Sequence, residues 1–137
     1  MPGTISTQKA LIYIMVIMSA VEGKINAPEL EEIGHVVKSL PIFKHFEAAR
    51  LTTVAQECAD MLQVPEGMMT VLGLAADQLS PKLRETAYAL AVEVAAVDLM
   101  VGREELRFLA ILRDNLGLDK LVTAALERSV IARYQAG

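Results

Sequence analysis

Two long apolar runs, ALIYIMVIMSAV at residues 10–21 and AYALAVEVAAV at residues 87–97, constrain this chain more than any other feature. The first is 12 residues long and stops at Glu22, whereas a bilayer crossing needs about 20 apolar residues. It does not span. A secretory leader fits no better, because Lys9 is the one positive residue ahead of the run and no small-x-small cleavage site follows it. The second run lies mid-chain, where no leader can be. Both are therefore read as central helices buried on nearly every side, which implies a cytoplasmic protein with no membrane insertion.

Elsewhere apolar residues recur at helical spacing, and no segment alternates with period two, so the chain is predicted to be all-α. Gly and Pro set the boundaries. Helix one covers residues 6–21 and is broken by Gly23. Helix two starts at Asn26 or Ala27 with Pro28 in its first turn, ends before Pro41, and presents Leu30, Ile33, Val37 and Leu40 as its apolar face. Helix three spans residues 48–62, with Leu51, Val54 and Cys58 on one face, and the Pro65 turn closes it. A shorter helix covers residues 66–78. Ser80 and Pro81 form an N-cap and N1 pair for helix five, which continues to Asp98. Helix six runs from Arg103 to the Gly117 stop, and helix seven covers residues 119–133. The expectation is a single domain over residues 1–137, a bundle of about seven helices joined by short loops. Aromatics make up only 4% of the chain, so this core is built from Ala, Val, Leu, Ile and seven Met, groups that suit close helix packing.

The charge balance narrows the partners. Thirteen basic against 17 acidic residues give a net charge of −4, which lacks the basic excess that nucleic acid or an anionic membrane attracts. Scarce aromatics also argue against base stacking, so no nucleic-acid partner is expected. Cys58 is the only cysteine. It can form no internal disulfide and has no Cys/His cluster for a thiolate zinc site, and it is read as a buried small hydrophobe.

Sliding the chain against itself at an offset of 76 aligns AVEGKINAPELEEI, residues 20–33, with AVDLMVGREELRFL, residues 96–109. Ala20 and Val21 meet Ala96 and Val97, Glu22 meets Asp98, Ile25 meets Val101, Glu29 meets Glu105, Leu30 meets Leu106, and Ile33 meets Leu109. Each half, residues 6–40 and 81–117, is thus a buried helix, an acid at its end, a loop with one inward β-branched residue, and a second helix with an acid in its first turn. Two such hairpins, unable to cover their own apolar faces, are expected to pack as a pseudo-symmetric bundle.

The four acids differ in what explains them. Glu29 and Glu105 fall three residues after Asn26 and Gly102, the N3 position of a capping arrangement, where a carboxylate also suits the positive end of the helix dipole. Glu22 and Asp98 sit against the negative end of a helix, which is unfavourable unless loop amides or a cation compensate. The pattern echoes the second half of an EF-hand loop. Met18, Ala20, Val94 and Ala96 occupy the positions where the first half would need side-chain oxygens, so an EF-hand is excluded.

These residues resemble the tellurite-resistance TerB-like family, whose helical domains duplicate a hairpin with the pattern Ala-x-Asp-Gly-x-[Ile/Val]-x-x-x-Glu. The likeness rests on AVEGKINAPE and AVDLMVGREE, with the lead-in LSPKLRETAYALAVEVAAVD and the trailing FLAILRDNLGLD. Glu22 stands where the pattern has Asp, and Leu99 where it has Gly. The resemblance implies a non-enzymatic module of chemical-stress response that binds a divalent metal ion through Glu22, Glu29, Asp98 and Glu105.

The other candidates read more plainly. His35 and His45 have no nearby Cys/His partner and read as surface or partly packed imidazoles. Glu93, inside the most apolar helix, is expected to pair with Arg84 or Arg113 or to reach solvent. No Ser/His/Asp arrangement, nucleophile elbow, phosphate loop or dinucleotide fingerprint is present, so no enzyme is expected. The rival reading is a structural interaction domain, a homodimer or a binder of another protein, whose acids only cap helices.

Overall fold

The computed structural model describes residues 5–21, 23, 27–97 and 101–136. Among these, all regular structure is helical: α1 (Thr7–Ala20), α2 (Ala27–Ser39), α3 (Leu51–Leu62), α4 (Gly67–Asp77), α5 (Pro81–Ala96), α6 (Arg103–Leu116) and α7 (Lys120–Arg133). None of the described helices is long and apolar enough to cross a membrane.

The two apolar runs become the two central helices. Every residue of α1 from Ala10 through Ser19 is buried, and α5 buries nine of its residues. Helix α1 packs against α2, α3, α4 and α5, while α5 packs against α1, α2, α6 and α7. A helix surrounded on all sides needs apolar residues all round rather than a stripe, which is why these two segments read as continuous runs. Their side chains join Ile33, Val37, Phe43, Val54, Val71, Leu72, Phe108, Leu112 and Leu116 in one core cluster.

Local chemistry sets the ends. The Ser6 hydroxyl accepts the Lys9 N–H, that of Ser80 accepts the Leu83 N–H, and Asp119 Oδ1 accepts the Leu121 N–H at 2.7 Å; each satisfies an amide that an N-terminal turn leaves unpaired. Gly117 closes α6 in the left-handed conformation (φ 65°), as expected of a glycine stop. Between α3 and α4 the turn is tighter. Glu66 is held at φ 64°, and a Cβ added at Gly67 would lie 2.1 Å from the Met61 carbonyl oxygen. Only glycine lets α4 begin against the end of α3 there.

Three expectations change. The segment expected to open helix three, Ala48–Arg50, is a turn of 3-10 helix that leads into α3, and Pro41–Phe43 forms another. Leu30 is not on the buried face of α2: it is 42% exposed, and Val36 joins Ile33 and Val37 instead. Glu93 pairs with neither Arg84 nor Arg113 but with Arg133. Arg84 instead donates to the carbonyls of Leu79, Ala76 and Leu116, at 3.1 Å each. One guanidinium thereby ties the C-terminal ends of α4 and α6 together, where the helix dipoles favour a cation.

Candidate functional site

The site residues follow from where α2 and α6 start. Glu29 and Glu105 each lie in the first turn of their helix, and each is only 3% exposed. Their neighbours Leu30 and Leu106 are 42% and 58% exposed. In both helices, then, the acid points inward and the leucine outward, the reverse of what transfer free energies alone favour.

Burial of a carboxylate requires partners. Glu29 Oε1 accepts the Ser19 hydroxyl at 2.7 Å, a contact buried between α1 and α2. Ser19 is itself 1% exposed. Glu105 Oε1 accepts the Gly102 N–H at 3.1 Å, so the expected capping contact of α6 is present and places the carboxylate at the positive end of that helix. Glu22 and Asp98, the other two candidate ligands, lie outside the described residues. Among the described residues no group of three or more His, Cys, Asp or Glu side chains is close enough to hold a metal ion.

Ser19 was not among the residues singled out from the sequence. The available signal is the one serine in an apolar run, and at the 76-residue offset its counterpart is Ala95.

The remaining candidates occupy other places. Glu93 is buried and accepts from the Arg133 guanidinium. Nearby, burial first and the Glu93 carboxylate second raise the Glu32 carboxyl above its ordinary value, with Tyr134, His35 and Arg133 acting the other way. His35 and His45 are both exposed. The Phe43 and Phe46 rings meet edge-on at 6.0 Å, with the Arg50 guanidinium 5.6 Å from the Phe46 ring centre; this is packing of the 41–50 connection. Cys58 is fully buried, its Sγ 3.7 Å from the Tyr13 carbonyl oxygen, and desolvation pushes the thiol up to about 12. Such a thiol is inert at neutral pH. A cleft of about 480 Å³ at the end of α1 is lined mainly by apolar residues, among them Ile17, Leu62 and Met68, with Gln63 the polar side chain. It holds no acid or base among the described residues. Compared with known proteins, the chain is matched by no family model, no curated protein and no solved structure.

Proposed function

We propose that this chain is a small non-enzymatic, TerB-like module of chemical-stress response. In this reading its two hairpins, α1–α2 and α5–α6, are pseudo-repeats whose acids Glu22, Glu29, Asp98 and Glu105 hold a divalent cation. The observation that carries the reading is the paired inversion: two carboxylates 76 residues apart, each 3% exposed, each beside an exposed leucine. Carboxylate oxygens are the hard donors that calcium, magnesium and manganese prefer. Glu29 and Glu105 fit that chemistry, and the ion's charge would offset the repulsion of acids placed at helix ends.

A second reading has its own observation. Glu105 already accepts the Gly102 N–H, so the acids can be helix caps alone, in a structural domain that pairs with itself or another protein. Thermal melting of metal-stripped protein separates the two. Under the cation reading, calcium, magnesium, manganese or zinc raises the melting temperature, and Asp98→Asn combined with Glu105→Gln removes the rise. Under the capping reading no ion shifts it.

A further inference from the structure

Helix α7 is held to the molecule differently from the central helices. Only Thr123 and Val130 are buried along its 14 residues, whereas α1 buries ten of its 14. It lies along α5 and has no other extensive helix neighbour. Much of its seat is polar: the Tyr88 hydroxyl donates to Glu127, the Arg133 guanidinium donates to Glu93, and the Tyr134 hydroxyl engages Glu32. Between these contacts, Ala89, Leu90 and Glu93 of α5 share a cleft with Leu126, Ser129, Val130 and Arg133.

Apolar burial is lost outright when a helix lifts, whereas ion pairs and hydrogen bonds with a wet partner are replaced by water at small net cost. The Arg133 side chain is 64% exposed even when paired. Separation of α7 therefore exposes fewer buried side chains of the departing helix than separation of α1 or α5 would. The connection that would have to move is short and begins at Gly117, already in the left-handed region.

We propose that α7 is a releasable cover, which leaves α5 as a unit while α1 to α6 stay folded. Its departure bares the face of α5 that carries Glu85, Thr86, Tyr88, Ala89, Leu90 and Glu93, a mixed helix surface with Glu93 at its middle. In the closed molecule α7 itself occupies that face, with Arg133 answering Glu93. This accounts for a carboxylate within the second apolar run: Glu93 faces the detachable helix.

Hydrogen exchange of the full chain, read by mass spectrometry at neutral pH, tests this. Peptides within residues 120–133 are expected to exchange roughly 100-fold faster than those of α5, and at one common rate along the helix. Glu93→Gln speeds exchange in α7 further and leaves α1 unchanged; Arg133→Gln, altered on the exposed side of the same pair, does the same. Exchange of α7 in step with α5 overturns the proposal, as does a uniform acceleration of all helices by either substitution. Exchange that slows progressively from residue 133 towards residue 120 also overturns it, because that is end fraying rather than release of a unit.

Discussion

Replacing Ser19 by Ala removes a single hydroxyl and tests what its contact contributes to the buried Glu29 carboxylate. Both side chains are almost wholly out of solvent, at 1% and 3% exposure, and the bond between them is 2.7 Å. Solvent screening is therefore small. A hydrogen bond to a charged acceptor contributes about 1.5–3 kcal/mol. The lost volume is one oxygen, so the cavity contribution is minor. The expected loss is about 2 kcal/mol, or a fall of roughly 6–10 °C in melting temperature for a domain of this size. Urea unfolding followed by circular dichroism measures it, together with Glu29→Gln and the double variant. The cycle should give a coupling of about 1 kcal/mol or more between the two positions. A Ser19→Ala protein within about 0.5 kcal/mol of wild type would refute the reasoning, since Glu29 would then be solvated or held without Ser19.

Further outcomes follow from other contacts. The Glu32 carboxyl is raised by burial and by Glu93, so its favourable contribution is complete only below the ordinary value and is lost as pH rises through the folded one. Glu32→Gln should accordingly raise the melting temperature at pH 7, with the gain vanishing below the ordinary carboxyl value; a gain that persists in acid contradicts this. Arg84→Lys cannot reproduce the fork that serves three carbonyls, and denaturant unfolding should show a loss of about 1–3 kcal/mol. Gly67→Ala should destabilise clearly because a backbone oxygen blocks the new Cβ, while Gly34→Ala, in α2 with open space around it, should stabilise by about 0.5–1 kcal/mol. The same melting assay reads both.

The helices were legible because their signals are local. Ser80 with Pro81, the Gly117 stop and the spacing of Val54 and Cys58 each fix an end or a face within a turn or two of sequence. Leu30 misled because helical spacing names a candidate face but not which side the rest of the bundle will cover; in α2 the inward direction belongs to Glu29, Ile33, Val36 and Val37. Glu93 was visible as an anomaly, yet its partner Arg133 lies 40 residues away, and only the packing of α7 along α5 brings the two together. Ser19 and Glu29 sit on different helices, so their contact is likewise a tertiary fact. Glu105 could be read correctly as a cap because its partner, Gly102, is three residues away.

The most direct test of the functional account is thermal melting of metal-stripped protein titrated with calcium, magnesium, manganese and zinc in turn. The account predicts that at least one ion raises the melting temperature in a saturable way, equivalent to about 2.7 kcal/mol at 100 times its dissociation constant, and that Asp98→Asn with Glu105→Gln abolishes the rise while the helical signal persists. An unchanged melting temperature with all four ions, in protein that is folded throughout, would contradict it and leave Glu29 and Glu105 as caps.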